Sequence, residues 1–460
     1  MTSAISSNSS FASAQALTEH LLKRAEQAKA SNIFIHLARE QALQQARIQD
    51  TQAATSQLPL RGLPIVVKDN VDVAGMPTTA GSPSVHHLAT KSATAIERLI
   101  QAGAVVLGKV NLHELCFGIT SNNAANGPVR NPYAQSRISG GSSGGTAAAI
   151  AAGLAPAGIG SDTGGSMRIP AALCGVVGMR PTTGRWPSDG VLKISDTRDT
   201  LGPMGRRVQD CALLDAVVCN EAHSLEAIPL KGLRLGVPQA LIDQGLEPAM
   251  RQAMRSLFAR LQAEGVQLIT CDLGIDAAEF DQVGMVIAMY ESVVCMERYF
   301  KERNMPFDGA KVISKIASLD VRGIFEHILS PGTRDEAAYK QAVNVQRPRL
   351  QQAYADCFKR HAIEALIFPT TPLAAAPIGQ DDEVVLNGQY VPTFPTYTRF
   401  LATGSLAGQP GITVPMGCDP QGLPLGIALD APAGSDRRML AIAQAIEAVI
   451  EPIPAAPAAY

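Results

Sequence analysis

Short runs of consecutive apolar residues alternate along this chain with segments whose apolar residues recur at helical spacing. The run LPIVV before Lys68 and the run AVVLGK at 104–109 predict buried strands, whereas 94–102 predicts an amphipathic helix. Strands that alternate with helices favour a largely parallel sheet with a helical layer on each face. We therefore predict the α/β class, with a mixed, mostly parallel central sheet covered by helices on both faces.

The alternation breaks over 276–350, where helical patterns follow one another. The longest of them includes VGMVIAMYESVVCMERYF, which carries a stripe of methionine and other apolar residues. Most of such a stripe belongs to the core, but methionine also adapts to varied apolar surfaces. We predict a helical insertion over 276–350, close to the functional site, that forms a substrate pocket or a lid.

No linker and no internal repeat divides the chain, so we expect a single domain over 1–460. Within it, 1–59 is predicted to be an N-terminal helical segment. The region 60–220 is predicted to be the core that carries the chemistry, because the most distinctive motifs lie there.

Charge and cysteine content exclude several classes of protein. The chain has 39 Lys and Arg residues against 41 Asp and Glu residues, so a nucleic-acid partner is not expected. Its eight cysteines have no paired spacing, which argues against disulfides or a zinc site and for a reducing compartment. The N-terminus does not read as a secretory signal, and the small-apolar run 147–160 is too short to span a membrane. We expect a cytoplasmic protein without metal, cofactor or membrane association. The sequence leaves open whether the protein forms a homodimer.

Two glycine-rich loops, each bearing serine, lie on either side of an alanine-rich run within 139–178. The first reads GGSSGG over 140–145, and the second reads DTGGS and ends at Ser166. A lone Gly/Ser hexamer is usually a flexible linker, but a linker is not normally followed by an alanine-rich helix and a second Gly-Gly-Ser. Glycine also lets a backbone approach a substrate closely, because it has no Cβ. The two serines therefore indicate a nucleophile and its helper.

This stretch resembles the defining segment of the amidase signature family of serine hydrolases, in which a GGSSGG loop, an Ala/Gly-rich helix and a (T/S)DTGGS loop follow one another. The resemblance implies that Ser166 is the nucleophile and Ser142 the bridging serine, with a cis peptide bond between Gly141 and Ser142. It also implies that Lys68 is the catalytic lysine, because the catalytic lysine of the family falls within the pattern G-x-P-x-x-V-K-D, which this chain carries over 62–69. Ser139 stands where many relatives have proline, a departure that removes no chemistry. The amidase signature fold and a Ser-cisSer-Lys triad are the expectations that follow.

In such a site a serine hydroxyl must attack an amide carbonyl without help from histidine. A lysine acts as a base only when neutral, and its ordinary pKa of about 10.4 makes the neutral form rare near neutral pH. Burial behind an apolar strand would lower that pKa. We expect Lys68 to take a proton from Ser142, which takes one from Ser166, and the relay then to run backwards to protonate the leaving amine. The predicted oxyanion hole consists of the backbone N–H groups of Thr163, Gly164, Gly165 and Ser166.

Other motifs favour simpler interpretations. His113 has only Glu114 beside it as a partner, which favours a hydrogen-bonded structural histidine. Residues 141–145 match the G-x-S-x-G elbow in letters, but no apolar strand or HGGG-type motif precedes them. His86 and His87 are adjacent and cannot share one face of a helix, so they do not predict a metal site.

Three phrases, HELCFGITSNN, DTRDTLGPM and GIALDAPAGSDRR, resemble the stand-alone branch of the family that contains indoleacetamide, mandelamide and related arylamide hydrolases. This resemblance implies hydrolysis of the C–N bond of small aryl or arylalkyl amides through an acyl-enzyme. A carbamate (urethane) or ester hydrolase that uses the same triad is the alternative. From position and composition, we predict an aryl pocket formed by Met285, Ile287, Tyr290, Phe400 and Leu401.

The amidase subunit of the tRNA-dependent amidotransferase, or a non-catalytic member of such a complex, is a third hypothesis. The loop of that subunit usually reads GGSxRQPA, whereas this chain has GGSMRIPA, and no basic patch suits tRNA. The intact Lys68, Ser142 and Ser166 argue against a non-catalytic role. We therefore expect a small-molecule amide or carbamate as the partner.

Overall fold

The computed structural model describes residues 11, 13–51, 58–242, 245–330 and 332–457. Residues 1–10, 12 and 52–57 of the predicted N-terminal segment lie outside the described residues. Eleven strands of the described chain form one central sheet. In chain order they are β1 Phe34–Leu37, β2 Pro64–Lys68, β3 Val105–Val110, β4 Ala157–Asp162, β5 Val177–Arg180, β6 Thr200–Gly205, β7 Arg234–Pro238, β8 Gln267–Cys271, β9 Ala365–Pro369, β10 Gly411–Cys418 and β11 Pro424–Asp430.

The strand order across the sheet is β1-β3-β2-β4-β6-β5-β10-β11-β9-β7-β8. Parallel pairings occur in two blocks, β3-β2-β4 and β9-β7-β8, and the other pairings are antiparallel. The sheet is therefore mixed, as predicted, but six of its ten described pairings are antiparallel, so the expectation of a mostly parallel sheet needs correction. For β10 and β11 the physical reason is the short turn that joins them, which only an antiparallel pair allows. Most of the other antiparallel pairs join strands that are not consecutive in the chain, so local sequence patterns do not set their direction.

Sixteen α-helices of the described chain lie before, between and after these strands. They are α1 Ala14–Gln27, α2 Arg39–Thr51, α3 Thr94–Gln101, α4 Gly144–Ala151, α5 Arg168–Cys174, α6 Val208–Cys219, α7 Gln239–Ile242, α8 Pro248–Ala263, α9 Ala277–Glu302, α10 Gly309–Lys315, α11 Leu319–Ile328, α12 Glu336–Gln341, α13 Arg347–His361, α14 Thr393–Thr398, α15 Ala402–Ala407 and α16 Asp436–Glu447. A short π-helical stretch, Ala342–Gln346, joins α12 to α13. No helix of the described chain is long and apolar enough to cross a membrane.

Alternate residues of β2 pack into two different hydrophobic clusters. Ile65 and Val67 belong to a cluster with residues of α3 and α6, whereas Val66 belongs to a cluster with residues of α1 and α4. Because successive side chains of a strand point to opposite faces, these clusters lie on opposite sides of the sheet. The prediction of an α/β fold with helices on both faces is confirmed.

Candidate active site

Lys68 is the last residue of β2, the strand between β3 and β4. All five residues of this strand are buried, and the lysine side chain is completely buried with them. A strand paired in parallel on both sides is covered on both faces, which explains why the run PIVVK is apolar up to its last position. Complete burial lowers the pKa of Lys68 below its ordinary value, because the charged form loses its hydration. Lys68 is therefore an amine biased toward the neutral form.

Two serine hydroxyls contact this amine. Lys68 Nζ lies 2.8 Å from Ser142 Oγ and 2.9 Å from Ser161 Oγ. Asn70 Nδ2 also donates to Ser161 Oγ, at 3.2 Å. The hydroxyls of Ser142 and Ser166 form no hydrogen bond with each other in the described structure, and such catalytic contacts are often long until a substrate binds. The structure thus places Lys68 in contact with Ser142. The hydrogen bond between Ser142 and Ser166 that the predicted relay also needs is not formed.

Ser161 is a site residue that the sequence reasoning missed. It lies in β4, a strand whose six residues are all buried, one position before Asp162. A hydroxyl inside a buried strand needs a hydrogen-bond partner, and here the partners are Lys68 and Asn70. A serine within the buried run AGIGSD was the sequence feature that could have identified this site residue.

Backbone contacts hold the two serine loops together. The peptide bond between Gly141 and Ser142 is cis, which confirms that prediction. Ser143 N donates to Ser166 O at 3.0 Å, and His113 N donates to Ser142 O at 3.2 Å. The loop that ends in α4 is therefore tied both to the second serine loop and to the segment after β3.

The His113 side chain contacts groups outside this cluster. Its Nε2 lies 2.9 Å from a carboxylate oxygen of Asp320, and its Nδ1 lies 3.3 Å from Thr120 Oγ1. Asp320 lies in α11, so the histidine links the segment after β3 to the helices of 277–361. These contacts agree with a structural histidine rather than a catalytic one.

The backbone around Ser166 supplies three open N–H groups. Those of Thr163, Gly164 and Ser166 have no acceptor among the described residues. The fourth predicted donor needs correction, because Gly165 N already donates to Asp162 Oδ1 at 2.8 Å. An amide held by a buried carboxylate is not free for a substrate oxygen, so Gly165 drops out of the predicted oxyanion hole.

Asp162 is held by two buried arginines at the end of β4. Arg168 Nε donates to its Oδ2 and Arg180 Nη1 donates to its Oδ1, both at 3.2 Å. Burial alone would raise the pKa of Asp162, but the charges of Arg168 and Arg180 hold it well below its usual range. The carboxylate is therefore charged, and through Gly165 N it fixes the turn that leads to Ser166.

A cavity of about 370 Å³ opens beside Ser166. Its wall comes from the segment after β3, from α9 and α11, and from α14 with its flanking residues. Most of the wall is apolar, including Phe117, Ile194, Phe280, Met285, Ala288, Met289, Ile324 and Phe394. The nucleophile candidate thus lies at the edge of a space suited to an apolar group.

Only part of the predicted aryl pocket lies on this wall. Met285 lines the cavity, but Ile287, Phe400 and Leu401 are buried in the main core and do not. Tyr290 stacks on Tyr339, with ring centroids 4.1 Å apart, and is also absent from the wall.

The helical period explains part of the error. The residues of α9 that reach the cavity are 280, 281, 284, 285, 288 and 289, a stripe at spacings of three and four. Residue 290 lies on the opposite side of the helix, whereas residue 287, seven positions after residue 280, lies at the edge of the stripe and packs in the main core instead. Selection by residue type therefore found only Met285 of this set.

The fold and the lysine–serine cluster at its centre define the class of protein. The chain matches the family described as Amidase over residues 16–440 and belongs to that family. It is 40% identical to the indoleacetamide hydrolase of Agrobacterium vitis, a similarity that covers 94% of this chain and 93% of the relative. It is 37% identical to the mandelamide hydrolase of Pseudomonas putida, over 94% of this chain and 88% of the relative.

Solved structures agree with the sequence relatives. The X-ray structure of native peptide amidase from Stenotrophomonas maltophilia superposes with a TM-score of 0.82 at 28% identity, covering 96% of this chain and 95% of that one. The chain is accordingly an amidase, a hydrolase that acts on C–N bonds of non-peptide amides.

Proposed function

We propose that this amidase hydrolyses small aryl or arylalkyl amides, with Ser166 as the nucleophile and with Ser142 and Lys68 as its proton relay. One observation carries the proposal. The buried Lys68 amine lies 2.8 Å from Ser142 Oγ, beside an apolar cavity that Ser166 lines. This arrangement joins a base, a hydroxyl and a place for an apolar acyl or amine group.

Acylation begins with neutral Lys68. Its Nζ accepts the Ser142 proton while Ser142 Oγ accepts the proton of Ser166, whose Oγ attacks the amide carbonyl carbon. The carbonyl oxygen becomes an oxyanion, and the open N–H groups of Thr163, Gly164 and Ser166 are the donors available to it. When the intermediate collapses, the proton on Lys68 returns through Ser142 to the leaving nitrogen, and the acyl group stays on Ser166.

Deacylation repeats these steps with water as the nucleophile. Lys68 takes a proton from Ser142, which takes one from the attacking water, and the relay then returns a proton to Ser166 Oγ. The carboxylic acid leaves, and the amine base is neutral again. No proton is left over at the end of the cycle.

The cavity supports the proposed substrate class. Its volume of about 370 Å³ suits a ring with a short side chain, and its wall includes Phe117, Phe280 and Phe394. The relatives named for indoleacetamide and mandelamide point to the same class. In this proposal the chain is a single domain over 1–460 in which 276–350 forms part of the substrate pocket.

Hydrolysis of a small panel tests the proposal. The panel is benzamide, indoleacetamide, an acetanilide and a phenyl carbamate, assayed with wild-type protein, Ser166→Ala and the control Ser314→Ala. Ser314 is exposed on α10 and donates only to Lys311 O among the described residues, so its removal should leave all rates unchanged. The panel is repeated with a metal chelator.

Wild type is expected to hydrolyse an arylalkyl amide that Ser166→Ala does not, with or without chelator. Full activity of Ser166→Ala, or complete loss with chelator, would contradict the mechanism. Faster aniline release from an N-phenyl carbamate than ammonia or aniline release from the amides would move the assignment to a urethane hydrolase. If wild type hydrolyses no substrate of the panel, the proposed substrate class is contradicted.

A further inference from the structure

Two charged side chains line an otherwise largely apolar cavity. Among the described residues on its wall, Arg198 and Asp281 are the charged ones. Arg198 lies just before β6, in the phrase DTRDTLGPM, and Asp281 lies in the first turns of α9. An apolar pocket with a few converging polar groups usually uses them to orient its ligand.

Arg198 is held in a fixed position with donors to spare. Its Nη1 donates to Gly284 O at 2.8 Å, and its own backbone N donates to Ser195 Oγ at 3.2 Å. Ser195 in turn donates to the buried carboxylate of Glu291 on α9. The side chain of Arg198 is 7% exposed, yet its buried Nε has no acceptor, and neither does Nη2 among the described residues. A guanidinium with unused donors at the wall of a cavity is suited to a ligand oxygen.

Two glycines show how close this guanidinium lies to the reacting centre. A Cβ built on Gly164 would lie 3.3 Å from Nη2, and Gly164 is two positions before Ser166. A Cβ built on Gly284 would lie only 2.9 Å from Nη1. The guanidinium therefore lies between the loop of the nucleophile and α9, next to the place where the scissile carbonyl must bind.

Asp281 complements this donor with an acceptor. It lies about one helical turn before Gly284, is exposed where it lines the cavity, and its side chain forms no hydrogen bond among the described residues. Partial desolvation raises the pKa of this carboxyl, and the charge of Arg198 opposes that shift. A donor and an acceptor on the wall of one cavity match a hydroxyl group, which both accepts and donates. An anionic group would fit less well, because it would face the Asp281 carboxylate.

We propose that Arg198 and Asp281 form a polar subsite for a hydroxyl group on the carbon next to the scissile carbonyl. The substrates that this subsite favours are α-hydroxy arylalkyl amides. The inference rests on the proposed function and goes further, because it names the residues that select among arylalkyl amides.

The test compares mandelamide with phenylacetamide, which differ only in the α-hydroxyl. We expect wild type to favour mandelamide in kcat/KM by about 10- to 100-fold, the usual range for a hydrogen bond to a charged group. Arg198→Met should bring this ratio close to one, chiefly by slowing mandelamide. Gly284→Ala keeps the arginine but displaces its guanidinium, so it should lower the ratio as well. Alanine is favourable within a helix, so this variant should fold. Arg24→Met is the matched control, since Arg24 also donates to backbone carbonyls but lies outside the cavity.

The outcomes separate this inference from the proposed function. Equal rates on both amides in wild type, or an unchanged ratio in Arg198→Met and Gly284→Ala, would overturn the inference and leave the proposed function standing. An equal loss of preference in Arg24→Met would also overturn it. If Arg198→Met does not fold, Gly284→Ala decides alone. Hydrolysis of neither amide by wild type would overturn this inference, and the proposed function falls with it only if the amides of the panel are not hydrolysed either.

Discussion

Lys68 combines a basic group with a position that water does not reach. Its amine ends a fully buried strand and contacts the hydroxyls of Ser142 and Ser161. Hydrogen bonds keep the buried amine satisfied, while the lack of solvent disfavours its charge. A residue that would be a surface cation elsewhere is thereby suited to accept a proton.

The ionisation of Lys68 predicts how activity depends on pH. Its folded pKa lies below the ordinary value, and only the neutral amine can accept the Ser142 proton. We therefore expect kcat/KM to rise with pH through this pKa and to level off above it. Lys68→Met should lower kcat/KM by about 10²–10⁴-fold, and the residual rate should lose the rising limb. Steady-state kinetics across pH provide the measurement, with the exposed Lys340→Met as control, and an unchanged limb in Lys68→Met would contradict the assignment.

At the scale of elements, the close approach of α4 to the segment after β3 sets the position of the serine loop. A Cβ on Gly145 would lie 2.2 Å from Asn111 O, a backbone atom that cannot move alone. Gly145→Ala should therefore destabilise the protein by about 1–3 kcal/mol. Gly323→Ala in α11 is the control, because a Cβ there meets nothing within 4 Å and should stabilise the helix by about 0.5–1 kcal/mol. Urea unfolding would contradict this picture if the two variants changed stability in the same direction.

Helix α9 is expected to limit the size of the substrate. Ala288 lines the cavity, so Ala288→Trp should lower kcat/KM for indoleacetamide by at least about tenfold, since a filled pocket excludes the ring. A small aliphatic amide such as butyramide should be affected much less. Val294 lies on the same helix, is partly exposed and does not line the cavity, so Val294→Trp is the matched control. Equal losses on both amides in Ala288→Trp would show that α9 does not form the pocket.

For the same helix, the sequence could predict the helical structure but not which face lines the cavity. The helical character of the region and the place of Met285 could be predicted, because helical period and composition are local properties. Which face of α9 meets the cavity depends on the segment after β3 and on α14, which are distant in sequence. Arg198 could not be assigned for the same reason, since its role depends on Gly164 and Gly284 around it.

At the scale of the whole molecule, a buried ion cluster ties the two sheet strands β4 and β5 to α5. Asp162 ends β4, Arg180 ends β5 and Arg168 begins α5. Asp162→Asn should destabilise the protein by about 3–5 kcal/mol at neutral pH, because the buried Arg180 loses its carboxylate and Arg168 keeps only Asp430. The folded pKa of Asp162 lies below its unfolded value, so its contribution is present above the unfolded value and is lost as pH falls toward the folded one.

The stability gap between wild type and Asp162→Asn should therefore narrow as pH falls below about 3.9. Denaturant unfolding followed by circular dichroism at several pH values provides the measurement. A gap that stays constant down to strongly acidic pH would show that the carboxylate charge does not stabilise the fold.

The features of the architecture that depend on local sequence patterns were predictable, whereas the pairing of strands distant in sequence was not. The buried run before Lys68 and the amphipathic helix after it indicated an α/β protein, and the glycine loops indicated the family. The balance of parallel and antiparallel pairings was not predictable, since the pairs β5-β10 and β11-β9 join strands far apart in sequence. Gly165 was included in the predicted oxyanion hole for a related reason, because only the folded turn shows that its N–H donates to Asp162.

The identity of the acylated residue tests the proposed mechanism most directly. The protein would be mixed with 4-nitrophenyl phenylacetate, quenched in acid during turnover and mapped by peptide mass spectrometry. We predict a phenylacetyl group on Ser166, absent from Ser166→Ala and formed more slowly in Ser142→Ala. An acyl group on Ser142, Ser143 or Cys116 instead, or turnover with no acylated residue, would contradict the assignment of Ser166 as the nucleophile.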